Sequence, residues 1–176
     1  LKMTQLTQDQ IKSLSAVELL DLDMDMIPDA PDFVNPQTGI YLCDMKLSQG
    51  TYDAKVYKDG QPTGETVEEV KLTSILTIKE VLDVAEADLD GDALPNAGDM
   101  FTVRYFGRSG MQNAKTELAE LGAALNVKKL SVLAETLRNN PAEVVVALRR
   151  TKREKDGQTY LGVKVLSLTL NTPVAQ

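Results

Sequence analysis

The residues best suited to chemistry lie in one short, strongly basic segment, where cations occupy five of seven positions. These are Arg149, Arg150, Lys152, Arg153 and Lys155. Guanidinium and ammonium groups bind anions, and a set of them held in water away from a core suits an anionic partner such as a nucleic-acid backbone. The alternative interpretation is a solvated turn whose charge only keeps the chain in solution.

Groups for catalysis are scarce in the 176 residues. The chain has no histidine and one cysteine, Cys43. Histidine-based acid–base catalysis, Ser–His triads and the commonest transition-metal ligand are therefore excluded. The acidic segment 88–92 and the aspartates at 21, 23 and 25 lack the spacing of a calcium loop. The sequence predicts binding without catalysis, metal or cofactor, and a carboxylate–Mg²⁺ nuclease is a remote alternative.

Binding to single-stranded nucleic acid also needs flat rings on which bases can stack. Tyr160 is the best candidate, because it shares its side of a predicted strand with Lys164. Tyr105 lies beside Arg104 and close to Arg108; for either ring the alternative is packing in the core or at its rim. The complete candidate set is Arg104, Tyr105, Arg108, Arg149, Arg150, Lys152, Arg153, Lys155 and Tyr160.

The net charge of −7 hides a division along the chain. Residues 1–100 hold 7 cations and 20 acids, which gives −13, and residues 101–176 hold 12 cations and 6 acids, which gives +6. An acidic average over the whole chain therefore does not argue against an anionic partner. No apolar run approaches the roughly 20 residues that span a bilayer, so we expect no membrane contact. One cysteine and a polar start are typical of a cytoplasmic protein.

The basic segment belongs to a predicted β-hairpin over residues 141–170. Two apolar, β-branched runs meet at Asp156-Gly157, the strongest short-range hairpin signal. On the return strand the apolar positions shift phase between Val165 and Leu166. Such a slip predicts a β-bulge, which bends a strand as small barrels require.

Earlier segments alternate like strands. Segment 39–47 has Ile40, Leu42 and either Met45 or Leu47 inward, and 50–57 pairs with it or extends it. Segments 67–84 and 98–106 are the next strands. In the last of these, Phe101, Val103 and Tyr105 share one face. Helices are predicted from a capping box at Ser109 through residue 125, and over 131–138. In an OB-fold, a small Greek-key β-barrel, several strands are followed by a helix and then by a final hairpin. The same order of elements predicts an OB-fold over residues 39–170. The alternative is a generic α+β sandwich.

We predict that residues 1–38 form an acidic arm and that residues 171–176 form a short tail. Capping boxes at Thr7 and Ser15 predict short helices as far as about Leu20. From Leu20 to Met26 acidic and apolar residues alternate, which predicts an extended segment with aspartates on one face. The arm would lie along the basic surface until DNA displaces it, or its apolar face would pack permanently on the barrel, on a neighbouring subunit or on a docking partner.

The chain resembles the single-stranded DNA-binding proteins of tailed bacteriophages, which have OB-folds. The resemblance lies in Asp29-Ala30-Pro31-Asp32-Phe33 before Gly39-Ile40-Tyr41, in the strand 98–103, in the helix after Phe106, and in the basic hairpin with 155–160. It implies non-sequence-specific binding of single-stranded DNA in phage DNA replication or recombination, in the cytoplasm of the infected host and without catalysis. The alternative is a phage virion structural or assembly protein that uses a barrel scaffold with docking arms.

Overall fold

The computed structural model describes residues 5–27, 32–86 and 93–171. The chain divides into two compact units, Leu1–Pro31 and Asp32–Gln176. Residues 32–38, predicted as arm, thus belong to the larger unit, where the Val34 amide donates to the Met100 carbonyl at 2.8 Å. Segments 28–31, 88–92 and 172–176, which carry parts of the predicted arm, acidic segment and tail, lie outside the described residues. Among the described helices none has the length and apolarity needed to cross a membrane.

The smaller unit contains two short helices, α1 (Gln8–Lys12) and α2 (Ala16–Leu20). Thr7 caps α1 through a complete capping box, and the Ser15 hydroxyl accepts from the Glu18 amide, so both predicted starts are confirmed.

The prediction of an extended segment after Leu20 is wrong. Asp21 ends α2, and Met24–Met26 forms a 3₁₀ turn in which the Met26 amide donates to the Asp23 carbonyl. An extended segment without a neighbouring strand would leave its amides and carbonyls unpaired, whereas tight turns pair several of them locally. The backbone of this segment is therefore not extended, although its acidic and apolar residues alternate.

The larger unit is built on five strands: β1 (Gly39–Lys58), β2 (Gln61–Val84), β3 (Met100–Phe106), β4 (Ala142–Lys155) and β5 (Gln158–Leu170). They form an open antiparallel sheet in the order β3-β2-β1-β4-β5. The predicted strands at 39–47 and 50–57 are one strand, because β1 runs through Gly50 without interruption. A mainly β fold with some helix, as predicted, is confirmed.

Two hairpins extend beyond the part of the sheet that has more than two strands. β4 pairs with β1 only from Ala142 to Leu148, so residues 149–164 form a two-stranded ribbon, here called the basic hairpin. β2 pairs with β3 only from Lys71 to Thr77, which leaves residues 51–70 as the β1–β2 ribbon. Each tip is an Asp-Gly pair with both φ angles positive, the conformation of a type I′ turn.

The bulge predicted in the last strand is confirmed. Ala147 pairs with Ser167 and Leu148 pairs with Val165, which leaves Leu166 as the extra residue of β5. Val165 and Leu168 are buried on either side of it, while Leu166 is 58% exposed. The bulge thus restores the apolar row to the core side after the slip.

Two helices cover one side of the sheet: α3 (Gly107–Ala124) and α4 (Leu130–Asn139). α3 packs on β2, β3 and β5, and α4 packs on β1. Leu118, Leu121, Leu133 and Leu137 of these helices are all buried. The predicted cap at Ser109 is wrong, because α3 begins two residues earlier, at Gly107, and has no side-chain cap.

The predicted inward row of β1 is correct at Met45 and Leu47 and wrong at Ile40 and Leu42. Tyr41, Cys43, Met45 and Leu47 are fully buried, whereas Ile40 is 37% exposed. β1 is the central strand, and both of its sides carry apolar residues, so alternation alone does not tell which row meets the helices.

Candidate nucleic-acid interface

Strand pairing sorts the cations of the basic hairpin onto two faces. Residues directly opposite each other in an antiparallel pair share a face. Arg149 lies opposite Lys164, and Arg153 lies opposite Tyr160. With Lys155, these residues form what we call the tyrosine face. Arg150 and Lys152 lie opposite Val163 and Leu161 on the other face.

The tyrosine face offers its charges and its ring to solvent. Tyr160 is 52% exposed, and its hydroxyl donates to the Gln158 Oε1 at 3.0 Å. Arg149, Arg153, Lys155 and Lys164 are exposed, and none forms an ion pair with another described residue. Four uncompensated cations beside one open ring can bind phosphates and stack a base.

Arg150 has a structural contact that the sequence did not predict. Its Nε donates to the Asn35 carbonyl at 3.1 Å, and its backbone amide donates to the Thr38 Oγ1 at 3.0 Å. Its side chain, half-buried, lines a cleft of about 360 Å³ between segment 34–37 and Leu161. Arg150 therefore connects segment 35–38 to the base of the hairpin, and its contact with a nucleic acid stays a prediction. Lys152 shares this face but is exposed.

A second group of suitable side chains lies on the sheet, on the side away from the helices. Arg104 and Phe106 project there from β3, opposite Thr73 and Lys71 of β2. Phe106 is 43% exposed, and its ring forms a T-shaped pair with that of Tyr52 at a centroid distance of 5.0 Å. The Tyr52 hydroxyl donates to Glu69, so one acid lies within this group.

Phe106 is an exposed ring that the candidate set from the sequence does not include. The available signal was its alternation with Tyr105, which places it on the side of Arg104.

Tyr105, a predicted stacking residue, is in the core. It is 4% exposed, and its hydroxyl donates to the Glu117 carboxylate of α3. Burial raises the pKa of Tyr105 well above its ordinary value, and the bond to Glu117 raises it further. A base cannot reach this ring in the folded chain.

Arg108 is exposed in the first turn of α3, as a nucleic-acid contact requires. It borders a shallow pocket with Glu69, Val70, Gly107 and Met111. The structure therefore places Arg108 near Glu69 and Val70 of β2, a strand that does not pair with either strand of the basic hairpin.

Other titratable groups serve the fold. Lys79 contacts Glu143 and lies 3.9 Å from Asp44, and this contact lowers the pKa of Glu143 and raises that of Lys79. Burial, with a smaller effect of Asp44, raises the pKa of the Cys43 thiol to about 12. Across the described ranges no three side chains of the metal-binding types are grouped to hold an ion.

Comparison with protein-family models, with curated proteins and with solved structures found no match to this chain.

Proposed function

We propose that this protein binds single-stranded DNA without sequence preference and that the tyrosine face is its main contact. The observation that carries the proposal is the grouping of Arg149, Arg153, Lys155, Lys164 and exposed Tyr160 on one face of the hairpin. Cations bind any phosphate backbone, and every base has a π-face, so this composition does not discriminate between sequences. Binding of this kind requires no covalent bond to be broken.

The strand order supports an OB-fold as the scaffold. In an OB-fold, strands 1 to 3 form a meander, strand 4 joins strand 1, and a helix lies between strands 3 and 4. This chain has the order β3-β2-β1-β4-β5 with α3 and α4 between β3 and β4. Some Cα atoms of the edge strands β3 and β5 lie within 8 Å of each other, as in a partly open barrel.

The positions of the candidate residues also agree with that scaffold. OB-folds bind oligonucleotides on the face of strands 2 and 3 and with the loops between strands 1 and 2 and between strands 4 and 5. The basic hairpin is the loop region between β4 and β5, and Arg104 and Phe106 lie on the face of β2 and β3. We therefore propose that the strand of DNA continues from the hairpin onto this face.

Single-stranded rather than duplex DNA is proposed because Tyr160 needs an unstacked partner. In a duplex both faces of each base are covered by its neighbours, so an exposed ring gains little from stacking. Cations alone would bind duplex and single strand alike. A role in phage DNA replication or recombination would follow from the family resemblance.

Fluorescence anisotropy with labelled single-stranded and duplex oligonucleotides at low salt tests the proposal. Substituting Arg149, Arg153 and Lys155 with alanine should weaken binding about 10- to 100-fold on every sequence. As a control, Arg138→Ala removes an exposed cation of α4 on the helical side of the sheet. It should change affinity less than about threefold, because this cation does not lie on the proposed path of the DNA. Absence of binding by the folded wild type, or equal losses in both variants, contradicts the proposal.

An assembly role is the second candidate, and one observation favours it. In the smaller unit Val17, Leu20 and Met24 are 67%, 85% and 86% exposed. Large apolar side chains so open to water are typical of surfaces that contact another protein. A protein that self-associates but does not bind DNA at low salt would support this role.

A further inference from the structure

A groove with an apolar floor and a basic rim lies between α3 and α4, and no residue of the proposed DNA contact lines it. Its volume is about 490 Å³. Leu118, Gly122 and Leu133 are buried in its floor, and Lys115, Lys128 and Lys129 stand exposed around it. No acidic residue is among its lining residues. The groove therefore suits an occupant that is apolar and negatively charged.

The smaller unit contains a segment of that composition. Between residues 16 and 26 it exposes Val17, Leu20 and Met24 at 67% or more. The polar side chains interleaved with them are all acidic and exposed: Glu18, Asp21, Asp23 and Asp25. No basic residue occurs between Lys12 and Lys46, so the segment has an unbroken negative character.

We propose that residues 16–26 of one copy occupy the α3–α4 groove of a second copy. Exposed apolar side chains on an acidic segment and a lysine-rimmed apolar groove are complementary in both properties that govern docking. The contact is head-to-tail, since each copy contributes its segment to one neighbour and its groove to another. Such contacts build open chains or rings rather than closed two-fold dimers.

This inference goes beyond the proposed function, because neither surface includes a residue of the tyrosine face and the association requires no DNA. If the protein also binds DNA, head-to-tail contacts would favour neighbouring copies along one strand.

Sedimentation velocity of the full chain without nucleic acid, over a wide range of concentrations at low salt, is the first measurement. The average mass should rise with concentration. Reversing charge at the groove with Lys128→Glu and Lys129→Glu should weaken self-association about 3- to 10-fold. Reversing Asp23→Lys and Asp25→Lys on the segment should weaken it by a similar factor.

The combined variant decides the matter, because it restores opposite charges across the contact. Its association should return to within about twofold of wild type, a rescue that misfolding of either parent cannot produce. Lys55→Glu with Lys58→Glu, an equal reversal on the β1–β2 ribbon, should leave association unchanged. A monomer at every concentration, or a combined variant weaker than both parents, overturns the proposal.

Discussion

Tyr160 and Tyr57 form a natural pair for testing the role of a single ring. Both are exposed tyrosines near the tip of a β-hairpin, at 52% and 61%. Tyr160 lies opposite Arg153, whereas Tyr57 lies opposite Pro62. The two rings thus differ mainly in the charges around them.

We expect Tyr160→Ala to weaken DNA binding by about 1–3 kcal/mol, the usual worth of one stacked base. Tyr160→Phe should bind as wild type does, because stacking uses the ring and the hydroxyl bonds only to Gln158. Tyr57→Ala should change affinity little. Anisotropy titrations of the three variants check this, with circular dichroism to verify folding. A loss in Tyr160→Phe as large as in Tyr160→Ala would contradict stacking.

Cys43 provides a test of the core. Its side chain is fully buried in β1, and burial raises the pKa of its thiol to about 12. A raised thiol pKa leaves little thiolate at any pH below it, and the thiolate is the reactive form. A coloured disulfide reagent at pH 8 should therefore label the native chain only as fast as it unfolds. Denaturant should make labelling immediate; rapid labelling of the native chain would contradict the proposed packing.

Some residues were located correctly from the sequence and others were not. The difference is whether local or long-range contacts determine the position of the side chain. Tyr160 is exposed because it lies beyond the sheet, a consequence of a local turn at Asp156-Gly157. Tyr105 and Phe106 are adjacent in one strand, and alternation places them on opposite sides. Only the packing of α3, whose Glu117 accepts from the Tyr105 hydroxyl, decides which of them is inside.

At the scale of elements, locally encoded features were predictable from the sequence. The final hairpin, its turn and its bulge follow from neighbouring residues, and all three are present. The segment after Leu20 was misinterpreted, because its alternation of residue types has no strand partner to make it a strand. The inward row of β1 depends on helices more than 60 residues away in the sequence, which no local pattern contains.

Arg150 belongs to this scale, because its bonds connect two elements. Replacing it with methionine keeps the aliphatic stem and removes the bonds to the Asn35 carbonyl. We expect a loss of about 1–3 kcal/mol in the free energy of unfolding, the range for hydrogen bonds of charged groups. DNA affinity should fall less than it does for Arg153→Met on the tyrosine face.

Lys152→Met is the matched control for Arg150→Met, since Lys152 shares its face but is exposed. This change should alter stability by less than about 0.5 kcal/mol. Urea denaturation followed by circular dichroism measures both variants. Equal stability of Arg150→Met and wild type would mean that segment 35–38 does not depend on Arg150.

At the scale of the whole molecule, the charge division along the chain becomes a difference between two ribbons. The β1–β2 ribbon, residues 51–70, carries 2 cations and 5 acids, hence −3. The basic hairpin, residues 149–164, carries 6 cations and 2 acids, hence +4. A polyanion will therefore favour one ribbon over the other, although the net charge of the chain is negative. The sequence revealed the charge division, but the strand order that relates the two ribbons depends on long-range pairing.

The salt dependence of binding measures how many of these cations meet phosphates. For single strands, log affinity falls with log salt at about −0.7 per phosphate neutralised. Four cations on the tyrosine face set a slope of about −2 to −3 for wild type. Removing Arg149, Arg153 and Lys155 should flatten the slope by about 2, while Lys152→Ala should leave it unchanged. A slope near zero with retained affinity would exclude phosphate contacts as the basis of binding.

A steeper wild-type slope of about −4 would mean that more cations contact phosphates than the tyrosine face supplies. The sheet group offers the additional contacts, since Arg104 and Lys71 flank the exposed ring of Phe106. In that case Arg104→Ala should reduce the slope by about 0.7, and Phe106→Leu should weaken binding without changing the slope, because a ring carries no charge. Arg138→Ala, which removes an exposed arginine of α4 on the helical side, should affect neither quantity. If the slope stays near about −4 in Arg104→Ala, the DNA does not reach the sheet at Arg104.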